Sequence, residues 1–314
     1  MENYKPSEAL AKQAAETHFL EPVKKVDRFP TGLVHYVYDV RMAKNQIVVR
    51  MSTPENRHQL ANGLYWLERL RPLGVPLPKV VFANLDVNVP YVLLERLNGS
   101  DLGNIYGDLT PSQKKDIAGI ISNVQGLVAQ LPQGSGFGFV SSYEKGFPHT
   151  SWAAVVDHHL RRSRIRIDSI GAVNSSYVDD IERISPKFQN YFDSIGPTPF
   201  LDDITTKNVI IDNGRFTGIV DVDQVCFGDP IFTIALTQMG LMSGGADLDY
   251  IEYWCDEINA TEAQRSVLQF YAGLFCLDFM SEVGQAFNKD STDIDWKWLS
   301  CLKSCHAQIM HHLR

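Results

Sequence analysis

Three residues between positions 200 and 230 have the types and the spacing that a magnesium and phosphate site requires. Asn208 follows Asp203 by five positions, and Asp221 follows Asn208 by thirteen. Carboxylate and amide oxygens are hard ligands of the kind that Mg²⁺ prefers, and water and phosphate oxygens complete its shell. We therefore predict that Asn208 and Asp221 hold Mg²⁺ and that Asp203, just outside the ion, faces an incoming hydroxyl group.

A predicted β-hairpin brings two of these residues together. Residues 208–211 and 216–220 read as strands, and the Asn-Gly pair in the turn at 212–214 supplies the positive φ angles that a tight turn requires. Antiparallel strands of similar length place their outer ends side by side. The hairpin should therefore bring Asn208, at the start of one strand, close to Asp221, at the end of the other.

A single aspartate or asparagine at such a position has a simpler explanation. Asp and Asn commonly cap helices or bond to turn backbones without any chemistry. Here the spacing, the hairpin and the run Gly228-Asp229-Pro230 agree, because Asp-Pro is typical of a helix start and predicts a helix over 231–242. The combined pattern favours a functional site over isolated caps.

The segment resembles the catalytic and metal-binding segment of aminoglycoside phosphotransferases and choline kinase-like proteins, which share a bilobal protein-kinase-like fold. The resemblance implies that Asp203 is catalytic and that Asn208 and Asp221 bind the metal. The segment departs from the family where Leu201-Asp202-Asp203 stands in place of His-Gly-Asp. In kinase-like loops that histidine mainly braces the backbone, so its loss bears on the rigidity of the loop.

Two more positions near this segment differ from the pattern of the small-molecule kinases. Lys207 lies four residues after Asp203, the offset at which tyrosine kinases carry a basic residue. The resemblance implies that Lys207 reaches the transferring phosphoryl group. Thr233 stands near the position where relatives commonly have a further Asp after Gly-Asp-Pro.

The N-terminal part of the chain predicts a helix over 6–19 and then strands. The runs at 23–29, 35–42 and 46–51 are rich in β-branched and aromatic residues. By resemblance, Arg50 in the third strand pairs with the α and β phosphates of a nucleotide, and a guanidinium group can grip phosphate oxygens bidentately. Without the rest of the pattern, an exposed arginine at a strand end is the alternative.

The next helix, predicted at about 54–71, lacks the carboxylate that relatives use to hold this basic residue. The expected turn carries Gln59, Leu60, Asn62 and Gly63. Glu68 lies a turn or two beyond. Either Gln59 replaces the carboxylate by hydrogen bonding, or Arg50 is held by another group.

The resemblance also implies two backbone contacts to the nucleotide. The turn at 30–33, which contains Gly32, would cover the phosphates, although on its own it reads as an ordinary hairpin turn. The apolar run at 91–97 is predicted to be a central strand that enters a hinge. There the adenine base would bond backbone groups near Glu95 and Leu97.

The remainder of the chain reads as mainly helical from Thr110 onward. Residues 134–139 are predicted to be a flexible connector, because no strand and helix bracket them as in a phosphate loop. Acidic residues gather at 247–257. The resemblance implies acidic groups for polyamine substrates in this part of the chain, and solvated helix faces are the alternative.

The composition excludes several classes of protein. The 314 residues carry a formal charge of −8, and a nucleic-acid partner would require clustered Lys and Arg. No apolar run approaches the roughly 20 residues of a membrane span, and the polar N-terminus lacks the apolar core of a signal peptide. The five cysteines form no CxxC pair, so neither a disulfide framework nor a zinc site is predicted. We expect a cytoplasmic enzyme.

These patterns predict an α+β chain with the bilobal protein-kinase-like fold. A β-rich N-terminal lobe at residues 1–97 would bind the nucleotide, and a mainly helical C-terminal lobe at 98–314 would carry the catalytic and substrate sites. The expected reaction moves the γ-phosphoryl group of ATP, or of GTP, to a hydroxyl of an aminoglycoside-like or other small, cationic acceptor with Mg²⁺. The alternative is a pseudoenzyme of the same fold that binds a nucleotide or ligand, which Leu201 and the absent helix carboxylate favour. The sequence does not predict an oligomeric state.

Overall fold

The computed structural model describes residues 5–29, 35–285 and 293–314. The strands in these ranges are β1 Val23–Phe29, β2 Tyr36–Met42, β3 Gln46–Met51, β4 Val80–Asn84, β5 Tyr91–Glu95, β6 Ser100–Asp101, β7 Gly138–Val140, β8 Thr198–Phe200, β9 Val209–Asp212, β10 Arg215–Ile219 and β11 Val225–Gly228. The helices are α1 Glu8–Phe19, α2 Arg57–Leu70, α3 Leu102–Ile105, α4 Pro111–Val128, α5 Trp152–Ile170, α6 Ser176–Ile184, α7 Gln189–Ser194, α8 Ile231–Ser243, α9 Asp249–Glu257, α10 Glu262–Glu282 and α11 Trp296–Leu313.

A five-stranded antiparallel sheet forms the N-terminal region, in the order β1-β2-β3-β5-β4. The apolar strand β5 lies between two neighbours, as predicted. Its side chains alternate between two cores because successive residues of a strand point to opposite faces. Leu93 packs with the alanines of α1 on one face, whereas Val92 and Leu94 pack with α2 and the larger core on the other.

The C-terminal region is helical and is organised around α10. This helix packs against α5, α8 and α11, and its side chains from Val267 to Ser281 are mostly buried. Trp152 of α5 donates its indole N–H to the hydroxyl of Tyr271 in α10 at 2.6 Å, and that hydroxyl donates to Oδ2 of Asp229 at 2.9 Å. This chain of hydrogen bonds joins α5 and α10 to the start of α8.

Helices α4 and α8 begin where the sequence predicts, because residues at their starts bond free backbone N–H groups of the first turn. Thr110 and Gln113 form a reciprocal capping box at α4, with Pro111 as the first helical residue. At α8, Oδ1 of Asp229 accepts a hydrogen bond from the N–H of Ile231 at 3.1 Å.

These elements confirm the α+β architecture with a β-rich N-terminal region and a helical C-terminal region. Within the described ranges, none of the helices is sufficiently long and apolar to cross a membrane. The lobe boundary between residues 97 and 98 stays a prediction.

Two small sheets hold the ends of the candidate catalytic segment. One has the order β10-β9-β6 and the other β7-β11-β8. β8 leads directly into the loop at 201–208, and β11 follows the loop at 220–224. The prediction of an unstructured connector at 134–139 was wrong in part, because Gly138–Val140 forms β7 and pairs with β11. Only this long-range pairing makes the segment a strand.

Candidate active site

The hairpin that carries Asn208 and Asp221 forms as predicted. Strands β9 and β10 pair antiparallel, and Asn213 and Gly214 between them have φ angles of 50° and 73°, the left-handed values of a tight two-residue turn. Beyond the paired strands, the N–H of Val220 donates to the carbonyl oxygen of Asn208 at 2.9 Å. This bond places Asp221 beside Asn208 at the open end of the hairpin.

Asp221 has a backbone conformation that is uncommon for residues with a side chain. Its φ is +65°, and strain of this kind persists where the surrounding structure imposes it, often at functional sites. The side chain of Asp221 is 51% exposed, whereas Asn208 is buried. The strained loop thus presents the carboxylate of Asp221 to solvent beside a buried amide.

Asp203 lies on the exposed part of the loop at 201–208. Its Oδ1 accepts a hydrogen bond from the Thr205 hydroxyl at 2.9 Å, and its carbonyl oxygen accepts one from Nδ2 of Asn208 at 2.9 Å. The second bond ties the predicted catalytic residue to a predicted metal ligand. Desolvation in the loop and the negative charge of Asp221 raise the pKa of Asp203. Solvent reaches the exposed carboxylate and limits the effect of desolvation.

The backbone of this loop is braced without the family histidine. Leu201, in its place, is buried, and the side chain of Gln125 from α4 holds both of its backbone groups. Oε1 of Gln125 accepts from the Leu201 N–H at 3.0 Å, and Nε2 donates to the Leu201 carbonyl oxygen at 2.7 Å. One residue on, the Thr233 hydroxyl donates to the carbonyl oxygen of Asp202 at 2.6 Å. Hydrogen bonds from α4 and α8 therefore fix the backbone that carries Asp203.

The neighbouring Asp202 has different surroundings from Asp203. Asp202 is only partly exposed. Burial raises the pKa of Asp202 to about 8, and the charge of Asp203 contributes to this shift. A carboxyl group with this pKa is mostly protonated at neutral pH. The pKa of Asp203 is raised as well, but Asp203 is the more exposed of the two neighbours and therefore the one whose carboxyl group solvent reaches.

Arg50 lies in β3 and reaches across to the loop that follows β10. It is 8% exposed, and its Nη2 donates to Oδ1 of Asp221 and to Oδ2 of Asp223, the latter at 2.7 Å. Burial alone would lower the pKa of Arg50, but Asp223 and Asp221 outweigh it and raise the pKa. Gln59 does not hold Arg50, since its Oε1 has no hydrogen-bond partner in the described part of the chain. The second alternative left by the sequence is therefore the correct one, because Asp221 and Asp223 hold Arg50.

Lys207 lies on the exposed side of the catalytic loop, and its charge acts to lower the pKa of Asp203. Burial and the charge of Asp278 raise the pKa of Glu282 at the end of α10, and the charges of Arg166, Arg162 and, least of the three, Lys207 act against this shift. No motif in the sequence marks Glu282.

Of the predicted hinge residues, Glu95 ends β5 and Leu97 lies two residues beyond it. A Cβ atom on Gly218 of β10 would lie 2.7 Å from Cδ1 of Leu97, so Leu97 packs closely against the hairpin. The N–H of Glu95 donates to the carbonyl oxygen of Lys79 at 2.8 Å, and the Leu97 carbonyl oxygen accepts from the Arg96 guanidinium. These two backbone groups are thus engaged within the protein, and adenine binding at the hinge stays a prediction. Gly32, the other predicted nucleotide contact, lies outside the described residues.

The acidic run at 247–257 bonds largely within the protein. Asp247 accepts hydrogen bonds from the buried Lys114 at 2.7 and 2.9 Å and from the Tyr106 hydroxyl at 3.0 Å. Glu252 and Asp256 both pair with Arg265 at 2.7 Å. These contacts favour the alternative reading of the run, as solvated and structural helix charges.

Asn208 and Asp221 fit a divalent cation in their chemistry. The Nδ2 atom of Asn208 is engaged by the Asp203 carbonyl, which leaves the amide oxygen for a ligand, and the exposed Asp221 adds a charged oxygen. Within the described residues, no group of three or more His, Cys, Asp or Glu side chains could hold a metal ion. A pair of oxygen ligands is characteristic of Mg²⁺ sites that share the ion with substrate phosphates.

Residues 25–268 match the model of the phosphotransferase enzyme family. No curated protein matches the sequence. Solved structures, in contrast, match over nearly the whole chain.

Three of these solved structures illustrate the match. A thermostable mutant of aminoglycoside phosphotransferase APH(4)-Ia, in a ternary complex with ADP and hygromycin B, is 15% identical with a TM-score of 0.67, covering 96% of this chain and 98% of that one. Wild-type aminoglycoside 2'-phosphotransferase-IIIa in complex with GDP is 13% identical with a TM-score of 0.72, covering 98% and 99%. A protein from Haemophilus somnus 129PT assigned as a fructosamine-3-kinase is 15% identical with a TM-score of 0.64, covering 95% and 96%. The fold is therefore the bilobal protein-kinase-like fold of these enzymes.

Proposed function

The chain belongs to the phosphotransferase enzyme family, and from this premise we propose that it transfers the γ-phosphoryl group of ATP, or of GTP, to a hydroxyl of a small molecule. The observation that carries the proposal is the convergence of Arg50, Asp221, Asn208 and Asp203 around one end of a hairpin. We place the nucleotide between the lobes at residues 1–97 and 98–314. Gly32, Glu95 and Leu97 would contact it on the side of the N-terminal lobe.

Arg50 would bind the nucleotide phosphates, and Asn208 and Asp221 would hold Mg²⁺. Arg50 is buried and already bonds Asp221, so a divalent ion at Asp221 would compete for that carboxylate and free an N–H group of Arg50 for phosphate oxygens. Held there, the ion would neutralise charge that develops on the phosphate oxygens during transfer. Both roles use atoms that meet at the open end of the hairpin.

Asp203 would accept the proton of the acceptor hydroxyl as its oxygen forms a bond to the γ-phosphorus. The bond from the γ-phosphorus to the bridging oxygen then breaks, and the nucleoside diphosphate leaves. The raised pKa of Asp203 suits this role because a base works best when its pKa is close to the working pH. Lys207, in the same loop, would contact the transferring group.

We propose a hydroxylated acceptor that carries positive charge. The formal charge of −8 is compatible with a cationic acceptor, and one solved structure of similar fold is a complex with ADP and hygromycin B. Aminoglycosides and choline-like amines combine a hydroxyl group with positive charge, whereas other antibiotics and sugar alcohols are candidates on the hydroxyl group alone.

The pseudoenzyme alternative rests on Leu201 and on the missing carboxylate in α2. Both departures have local compensation, since Gln125 braces Leu201 and two carboxylates hold Arg50. These contacts support turnover over a purely binding role.

A thermal-shift comparison with Mg-ATP, Mg-GTP and Mg²⁺ alone tests the proposal, followed by measurement of nucleoside diphosphate release with pooled hydroxylated amines. We expect stabilisation by one or both nucleotides and acceptor-dependent release. Stabilisation without release on any pool would favour the pseudoenzyme. A protein that no nucleotide stabilises would contradict nucleotide binding altogether.

A further inference from the structure

Asp223 accepts a hydrogen bond from Arg50, and no sequence motif predicts this contact. Nη2 of Arg50 donates to Oδ2 of Asp223 at 2.7 Å, and Nε2 of His35 lies 3.0 Å from the same oxygen. Because a carboxylate only accepts, the imidazole nitrogen is the donor. Oδ2 of Asp223 is thus contacted by two donors from other parts of the chain, Arg50 and His35.

The two carboxylates that hold Arg50 belong to one loop and differ in exposure. The side chain of Asp221 is 51% exposed and that of Asp223 is 28% exposed. Asp221 is therefore the one presented outward, whereas Asp223 is directed at Arg50 and the buried His35.

Gly63 of α2 faces this contact and has no side chain to fill it. A Cβ atom at position 63 would lie 2.8 Å from Oδ1 of Asp223 and 3.6 Å from Nη1 of Arg50. The first distance is too short for a real contact, so a side chain at position 63 would require the carboxylate of Asp223 to shift. The position on α2 that faces Arg50 is thus occupied by a glycine, and the carboxylate there comes from Asp223.

We propose that Asp223, oriented by His35, is the positioning residue for Arg50 and replaces the carboxylate that relatives carry on the helix. This inference rests on the proposed phosphoryl transfer. With Asp221 bound to a metal ion, Asp223 would keep the guanidinium of Arg50 aligned for the phosphates. A single loop, with the two aspartates two positions apart, then sets both the metal ligand and the phosphate clamp.

The test moves the carboxylate from the loop to the helix. We expect Asp223→Ala to weaken Mg-ATP binding and raise the KM for ATP by roughly 10- to 100-fold, the loss of one charge-assisted hydrogen bond that aligns Arg50. Adding Gly63→Asp to Asp223→Ala places a carboxylate within reach of Nη1 of Arg50 in the space that Asp223 vacates. That double variant should recover a large part of the affinity. The matched control, Gly63→Ala with Asp223→Ala, fills the same space without charge and should recover none.

Calorimetry and melting temperatures are recorded for all variants, and Asp223→Asn replaces Asp223→Ala if the latter does not fold. If the double variant with Gly63→Asp recovers affinity for Mg-ATP and the double variant with Gly63→Ala does not, the recovery is due to the charge next to Arg50. That result would support the inference. The inference would be overturned if Asp223→Ala bound Mg-ATP with wild-type affinity. It would also be overturned if both double variants lost the same amount of affinity for Mg-ATP. If the wild-type protein binds no nucleotide, the proposed function itself fails, and the inference falls with it.

Discussion

Two aspartates of the C-terminal region, Asp278 and Asp203, have opposite surroundings. Asp278 of α10 is 5% exposed and bonds three side chains of α5: His159 at 2.7 Å, Arg162 at 2.7 Å and Ser163 at 2.6 Å. Asp203 stands on an exposed loop and accepts a side-chain hydrogen bond from Thr205 at 2.9 Å.

The pKa values of the two carboxyl groups move in opposite directions. Burial alone would raise the pKa of Asp278, but the charge and hydrogen bond of His159 and the charge of Arg162 lower it strongly. Desolvation and the charge of Asp221 raise the pKa of Asp203. A carboxylate enclosed by donors stabilises the fold, whereas one left open beside a like charge is available for a proton or a substrate. The contrast separates a structural acid from a candidate catalytic one.

The largest expected effect is the loss of kcat when Asp203, the candidate catalytic aspartate, is replaced. Asp203→Asn should lower kcat by roughly 10²- to 10⁴-fold, because it removes a positioned proton acceptor. The affinity for Mg-ATP should stay within a few-fold, since Asp203 lies outside the proposed metal ligands. Steady-state kinetics and calorimetry on the same preparation separate the two quantities.

Asp202→Asn is the control for this experiment, because the spacing of five to Asn208 belongs to Asp203 alone. It should retain most activity. An inactive Asp202→Asn beside an active Asp203→Asn would mean that the loop assignment is off by one position.

On the structural side, Asp278→Asn should lower the free energy of unfolding by about 3–5 kcal/mol, the usual cost of removing one partner from a buried ion pair. The pKa of Asp278 is lower in the folded chain than in the unfolded one, so its stabilisation is present above the unfolded value and is lost as the pH falls. The stability difference between wild type and Asp278→Asn should therefore shrink as the pH falls below about 4. Denaturant titrations at several pH values measure it, and a difference that is constant with pH would contradict the account.

The next prediction concerns Arg50, the cation that contacts the carboxylates beside the catalytic loop. Arg50→Ala should weaken Mg-ATP binding by roughly 10- to 100-fold, the scale of a lost charge-assisted hydrogen bond. Arg50→Lys should keep part of the affinity, because the charge survives without the bidentate fork. Equal nucleotide affinity in wild type and Arg50→Ala, measured by calorimetry, would mean that the phosphate-binding residue lies elsewhere.

The smallest expected effect concerns the brace of the catalytic loop. Gln125→Ala removes two hydrogen bonds to the Leu201 backbone and should lower kcat by roughly 5- to 30-fold, with little change in the affinity for Mg-ATP. Asn123→Ala, at an exposed position of the same helix, is the matched control and should behave as wild type. If both variants have the same kcat, Gln125 has no part in positioning the loop.

The parts of the site that the sequence predicts are those encoded locally. The Asn213-Gly214 turn carries its own backbone preference, so the hairpin and the meeting of Asn208 with Asp221 follow from a few adjacent residues. The caps of α4 and α8 are local in the same sense. The family resemblance supplied the fold and the place of Arg50, which no local pattern contains.

The parts that the sequence did not predict depend on contacts between distant positions. Gln125 braces Leu201 across 76 positions, and Asp223 holds Arg50 across 173. The absence of the loop histidine and of the helix carboxylate indicates that other residues must brace the loop and hold Arg50. It does not indicate which residues these are. The nearest available signals were a second aspartate two positions after Asp221 and a glycine at position 63.

The most direct test of the account is the Mg²⁺ dependence of nucleotide binding in wild type and in Asp221→Ala. Calorimetric titration of ATP is carried out on both proteins with and without Mg²⁺. Because Asp221 supplies the charged oxygen of the proposed ion site, we predict that Mg²⁺ strengthens binding to the wild type and has no such effect on Asp221→Ala, which also loses turnover. If Asp221→Ala binds Mg-ATP as tightly as the wild type does, this hairpin is not where the protein holds the nucleotide phosphates and their metal.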